Sequence, residues 1–235
     1  YELDGGAFDD EKLKLDMGEL GEFQYGESAS GYGIDIASNM VPAVDTAIYS
    51  SVGTDTIAYG VARSAQDVGN LGWKKAMDGG ITVAAEYARN TAAGGSDTTF
   101  GLTYTGMDNL TLAAGVGSTS TGGTAEVESQ TYGAKYVTGG WTIGLQITSV
   151  DFEGTTQDED GTHMGVTYNV NDDVSIGYVR QETDFSGNNA DEEHSGIQAS
   201  YSMGSISFSG RVGKVDNMGG TSGSTISESS ISDCT

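Results

Sequence analysis

The sequence predicts an all-β protein, a transmembrane antiparallel up-and-down β-barrel with fourteen strands visible in this chain. Three observations carry that expectation. Apolar and polar residues alternate over stretches of eight to ten positions from one end of the chain to the other. Tight turns and longer polar loops take turns in connecting those stretches. Tyrosines recur at a nearly constant spacing, each just before a tight turn.

The alternation is clearest in Trp141-Thr142-Ile143-Gly144-Leu145-Gln146-Ile147-Thr148. A strand points successive side chains to opposite faces, so the odd positions suit hydrocarbon and the even ones water. By the same period Phe100, Leu102 and Tyr104 face outward against Thr99, Gly101 and Thr103 inward, and Leu110, Leu112, Ala114 and Val116 share a face. Met164, Val166, Tyr168 and Val170 form another such set, as do Ile206, Phe208 and Val212.

Taken in order, strands are expected at 7–15 and 20–27, followed by the longest non-alternating stretch, 28–45, which holds Pro42, the one proline. Then come 46–52 and 56–63 around the turn at 53–55, and 70–77 and 80–90 around 78–80. The pairs 98–105 with 110–118, 129–138 with 141–149, 162–170 with 174–183, and 194–202 with 205–215 complete the series. Their turns fall at 106–109, 139–140, 171–173 and 203–205, while the other side carries loops at 92–97, 119–128, 151–161 and 185–193 that hold much of the Asp and Glu. Short turns on one side and long loops on the other are the pattern of outer-membrane barrels.

Tyr104, Tyr136, Tyr168 and Tyr201 lie 32, 32 and 33 residues apart, which defines a hairpin repeat. In the first three units the local sequence is Gly-x-x-Tyr, with Gly101, Gly133 and Gly165 inside and the Tyr outside. An amphipathic ring settles at a membrane interface, so these tyrosines together with Trp141 read as one aromatic girdle. The barrel is expected to occupy 1–215, with 216–235 a Gly/Ser/Thr-rich loop or tail, or the start of a further strand. An unpaired edge in lipid leaves backbone groups without partners, so the sheet must close. About 16 strands, or 18, are expected in the complete barrel, with strands before Tyr1 or after Thr235 making up the difference.

Composition agrees. Only 36% of residues are hydrophobic, and Gly numbers 37 against one Pro, which disfavours a large dry core, collagen and proline-rich disorder. The net charge of −24, from 34 acidic and 10 basic residues, repels phosphates and excludes nucleic acid as a partner. Cys234 is the single cysteine, so no disulfide framework forms within the chain. No run approaches the ~18 apolar residues of a membrane-spanning helix.

Catalytic chemistry is not expected. His163 and His194 fit no His-Glu-x-x-His spacing and read as exposed polar residues at strand starts beside acidic loops. No cofactor is expected either, although the acidic runs at 158–160 and 191–193 make Asp158 and Asp160 candidates for Ca²⁺, which takes carboxylate oxygens. Arg63, Arg89 and Arg180 fall in phase with outward residues at the loop-side ends of their strands, where a long side chain snorkels to headgroups at little cost.

With these features in place, the chain resembles the general-diffusion porins of Gram-negative bacteria, most like those of alphaproteobacteria. The strand Gly18-Glu-Leu-Gly-Glu-Phe-Gln-Tyr-Gly26 looks like the Gly-Asp-Phe-Gly-x-Leu-x-Leu-Gly strand that precedes their inward-folded constriction loop, and 28–45 matches that loop in position. The resemblance implies acids of the constriction at Glu27, Asp35 and Asp45, and a basic wall that strand parity assigns to Lys12, Lys14, Lys74, Lys135 and Arg211. It also implies arginines in the strand after the loop, yet 46–52 reads Thr-Ala-Ile-Tyr-Ser-Ser-Val. The implied function is a water-filled channel for passive diffusion of small hydrophilic solutes and ions, working as a homotrimer among the lipids and lipopolysaccharide of the outer membrane. The acidic surplus points to mild cation preference. The alternative from another class is a secreted acidic β-rich surface-layer or adhesive protein, which would need no aromatics aligned beside each short turn. A barrel enzyme is a third, with His163 and Asp160 as its sole candidates.

Overall fold

A strand with one oily and one polar face cannot stand alone, because its backbone donors and acceptors need partners along both edges. In the computed structural model those partners are found in one continuous ladder. The structure describes residues 2–4, 7–9, 12–26, 31–43, 70–90, 95–120, 126–154, 158–187, 189–204 and 206–234. Strands β1 (Glu2–Asp4) and β2 (Ala7–Asp9) pair as a separate hairpin. The rest are β3 (Lys12–Asp16), β4 (Glu22–Gly26), β5 (Asn70–Met77), β6 (Ile81–Asn90), β7 (Gly95–Met107), β8 (Leu110–Ser120), β9 (Glu126–Thr138) and β10 (Trp141–Phe152). They continue with β11 (Glu159–Asn169), β12 (Val174–Phe185), β13 (Glu192–Met203), β14 (Ile206–Asp216) and β15 (Thr225–Cys234). All thirteen from β3 to β15 lie in one sheet in sequence order, each antiparallel to the next, so the chain runs up and down.

The two faces are inverted relative to a soluble domain. On β10, Trp141, Ile143, Leu145 and Ile147 are exposed, whereas Gly144, Gln146 and Thr148 are buried. The same holds across the sheet, where Leu102, Leu112, Met164, Tyr178 and Ile197 are exposed and Thr99, Thr131, His163, Gln181 and Gln198 buried. An apolar exterior and a polar interior make up the solvent arrangement of a membrane barrel. The predicted girdle lies on the outer face, Trp141 stacked on Tyr168 with ring centroids 4.4 Å apart and Tyr201 in register with Phe208. Tyr104 and Tyr136 occupy the same face, in register with Leu112 and Ile143.

Turn chemistry fixes the register. Gly139 and Gly140 form the β9–β10 turn with φ of +52° and +88°, and a two-residue hairpin of that twist needs positive φ at both positions. Trp141 therefore pairs with Thr138, and every later pair in that hairpin follows.

The structure corrects the sequence expectation at three points. First, β4 pairs directly with β5, Glu22 opposite Lys74, which leaves no place between them for strands at 46–52 and 56–63. Both segments lie outside the described residues, within one long connection from β4 to β5. Among the described residues the next strand of the sheet after the inward segment is β5, whose Lys74 stands opposite Glu22 on the inner face. Second, 7–15 divides into β2 and β3. Third, the strands reach further toward the loops than alternation indicated, since β7 begins at Gly95, β9 at Glu126 and β11 at Glu159. Beyond the apolar band both faces meet water, so the hydrogen-bond ladder continues without an apolar stripe. Of the alternatives for 216–235, the further strand is the one found, since 225–234 forms β15 on the edge of β14. Arg180 is not at the loop-side end but in the middle of β12, in register with Met164, where Glu182 and Glu193 hold it at 3.3 and 3.4 Å; Arg89 is exposed near the end of β6, and Arg63 lies outside the described residues.

Candidate functional site: an inward segment on the polar face

Residues 31–43 turn back onto the buried, polar face of the sheet. A 3₁₀ turn, Gly33–Ala37, packs against β6, β7, β8 and β9 with Tyr32, Ile34 and Ala37 fully buried. The turn closes through the Asp35 N–H to Tyr32 O (3.1 Å) and the Ser38 N–H to Asp35 O (3.1 Å). Asp35 adds its own carboxylate, which accepts the Gly31 N–H at 2.5 Å. Ala37, Met40 and Ala113 form a small apolar cluster beneath it.

Two polar clips fasten the segment to the wall. The Ile34 N–H donates to Thr99 Oγ1 (3.1 Å), whose hydroxyl in turn reaches Glu86 Oε2 (3.4 Å). The Met40 N–H donates to Gln146 Oε1 (3.2 Å), and Gln146 Nε2 donates to Thr131 Oγ1 (2.8 Å). All four wall residues are buried. A buried donor stripped of its acceptor costs about 1–3 kcal/mol, so these bonds fix where the segment sits, while burial of Tyr32, Ile34, Met40 and Val41 adds stabilisation of at least comparable size.

At the β3–β5 end, three charges converge on Tyr32. Its hydroxyl donates to Glu22 Oε1, and Lys14 Nζ and Lys74 Nζ stand 3.8 and 3.9 Å from the same oxygen. The two ammonium groups also lie 5.8 and 4.7 Å from the centre of the Tyr32 ring. Burial, and then the neighbouring Glu22 carboxylate, push the Tyr32 phenol above its ordinary range, so it stays a donor. Ion pairs this open to water are worth about 0–1 kcal/mol, so what the group contributes is a local field rather than stability. Two cations against one carboxylate leave that part of the wall positive.

The predicted basic residues fall in phase with the polar face of the sheet, but not together. Lys12, Lys14 and Lys74 share the β3–β5 wall; Lys135 lies on β9 opposite Gly144, and Arg211 is buried on β14 opposite Gln198. Of the predicted acids, Asp35 is in the inward segment, half-buried and engaged with its own turn, while Glu27 and Asp45 lie outside the described residues. Glu22, Tyr32, Thr99 and Gln146 were not singled out from the sequence. Parity on β4 places Glu22 and Gln24 inward and would have found the first; an aromatic in a non-alternating segment was the signal for Tyr32.

The histidines correct the expectation of exposure, because both fall in phase with the lumen-facing glycines and are buried. His163 Nε2 is 3.1 Å from Thr148 Oγ1, and His194 Nε2 is 2.5 Å from Glu192 Oε1. The other Glu192 oxygen accepts the Gly219 N–H, which ties β13 to the 3₁₀ turn Met218–Gly220. Asp158 turns Oδ1 to the Phe152 N–H (3.2 Å), and Asp160 is in register with Asp184. Among the described residues no three His, Cys, Asp or Glu side chains form a group that could hold a metal ion.

Against known proteins, a family model described as Gram-negative porin matches residues 4–220. OmpT, an outer membrane protein of Vibrio cholerae, superposes with a TM-score of 0.66 at 18% identity over 95% of this chain and 77% of its own. The anion-selective porin from Comamonas acidovorans gives 0.64 at 14% identity over 95% and 75%. A mutant of the Rh. blastica porin gives 0.63 at 14% over 98% and 81%. No curated protein matches the sequence.

Proposed function

The chain belongs to the Gram-negative porin family and is an outer-membrane channel protein, and from that premise we propose that it passes small hydrophilic solutes and ions by passive diffusion, with a mild preference for cations. The observation that carries this reading is the inward segment clipped to the polar face of a sheet whose other face is apolar. A segment so placed narrows an aqueous lumen without filling it with hydrocarbon, and selection then follows from aperture and field rather than from a bond made to the solute. No bond is made or broken in transport, and no cofactor is required.

Cation preference follows from charge. The chain carries −24 overall, and a lumen bounded by low-dielectric walls focuses that potential on ions in transit. Lys14 and Lys74 oppose it locally, which keeps the preference mild. The wide apolar outer face suits both lipid and a second copy of the chain, and a homotrimer in contact with lipopolysaccharide is the assembly the family membership favours.

Reconstituted in liposomes, the protein is expected to cause swelling in isotonic pentose, faster than in disaccharide. In a salt gradient across a planar bilayer the zero-current potential should carry the sign of cation movement. Swelling rates indifferent to solute size, or a potential of anion sign, would contradict the reading.

A further inference from the structure

The Gly-x-x-Tyr repeats place Gly101, Gly133 and Gly165 on the lumen face, and two more glycines complete a row with them. Gly101 pairs across strands with Gly115, and Gly165 with Gly144. The inward segment lies directly on this row. A Cβ built on Gly101 would overlap the carbonyl oxygen of Gly33, and one on Gly144 that of Met40. On Gly165 it would stand 2.7 Å from Pro42 O, on Gly115 2.6 Å from Ile34 Cγ1, and on Gly133 it would overlap the Met40 side chain. Glycine within a strand weakens it and marks a place where another backbone approaches closely. Five of them, all beneath one segment, have a common cause.

We propose that this glycine floor sets the aperture of the pore: Gly101, Gly115, Gly133, Gly144 and Gly165 are positioning residues that let the inward segment lie flush with the wall, clear of the solute path. The inference rests on the pore reading. At Gly101, Gly144 and Gly165 a side chain would have the wall behind it and a backbone oxygen of the segment in front, so relief comes from moving the segment toward the lumen axis; at Gly115 and Gly133 it would press on the buried side chains of Ile34 and Met40. Lumen-facing glycine alone does not have this property, since a Cβ on Gly213 would meet only Ser195 O at an ordinary 3.4 Å. Gly115 differs from Gly101 in what it meets. The first obstructs a side-chain atom that can be removed, the second a backbone oxygen that cannot.

The test is single-channel conductance in planar bilayers for the full chain and for Gly115→Ala, Ile34→Ala, Ile34→Ala with Gly115→Ala, Gly101→Ala and Gly213→Ala, each verified as folded by heat-modifiable gel migration. Gly115→Ala and Gly101→Ala should conduct roughly twofold less than the parent, as a narrowed throat requires. Gly213→Ala should conduct like the parent, and Ile34→Ala alone provides the reference level for the double variant. Combining Ile34→Ala with Gly115→Ala should bring the conductance back close to that of Ile34→Ala, because with Cγ1 gone the nearest remaining neighbours, Ala37 Cβ and Thr131 Cγ2, stand at 3.2 Å and need give only a few tenths of an ångström. Should Gly101→Ala fail to fold, the Gly115 and Ile34 set decides alone. Parental conductance in Gly115→Ala, no restoration in the double variant, or failure of both glycine variants to fold would overturn the inference while leaving a conducting parent as a pore. A folded parent that passes no current would instead overturn the pore reading itself.

Discussion

Leu145→Arg is expected to destabilise the folded protein in a bilayer by roughly 2–4 kcal/mol. Leu145 is exposed on the outer face of β10, flanked along the strand by Ile143 and Ile147 and across it by Ala134 and Met164. Every neighbour is apolar, so an arginine there has no partner and must drag its guanidinium through hydrocarbon to reach water. The same substitution at Ser149, which lies on the same face nearer the loops and in register with Asp160, should cost only about 0–1 kcal/mol because the charge reaches the interface. Denaturant titration of liposome-folded protein, read by gel mobility, measures both. Equal effects at the two sites would mean that the outer face of β10 does not meet lipid, and the membrane assignment of the sheet would fail with it.

Reversing Lys14 and Lys74 together to Glu should raise the cation-to-anion permeability ratio by something on the order of threefold. Both lysines sit within 4 Å of the Glu22 carboxylate and beside Tyr32, where the inward segment meets the β3–β5 wall. In the parent they neutralise Glu22 and leave local positive charge; in the variant three carboxylates replace that arrangement. Since the ion pairs themselves contribute little to stability, the barrel should still fold. Zero-current potentials in a salt gradient report the ratio. An unchanged potential would show that ions do not pass this cluster.

Much of the fold was legible because a membrane barrel imposes two solvents on one strand. Trp141 to Thr148 alternates without a break since its residues must satisfy lipid on one side and water on the other, and the tyrosine spacing follows from hairpins of constant length between fixed interfaces. Where that demand lapses, so does the signal. Gly95–Asp97 and Glu126–Glu128 continue their strands above the apolar band, where polar residues suit both faces, and the sequence reads them as loop. Thr225–Cys234 is a strand because β14 offers it a ladder; its exposed Ser227 and Ser229 give no apolar stripe to read.

The site was legible in its parts but not in its contacts. Parity put Lys14 and Lys74 on the inner face, yet only the three-dimensional fold brings Tyr32, from a segment without periodicity, between them. Gln146 and Thr99 were read simply as water-facing residues. Their role as acceptors for backbone donors of the inward segment depends on pairs separated by 106 and 65 residues, which no local pattern records. The inward glycines were visible as glycines; what lies on them was not.

Single-channel recording from the purified, folded protein in a planar bilayer tests the central claim most directly. Stepwise insertion events, each adding a fixed conductance that is close to linear in voltage and grows with salt concentration, are the predicted result. A heat-modifiable, membrane-inserted preparation that leaves the bilayer's resistance unchanged would contradict it.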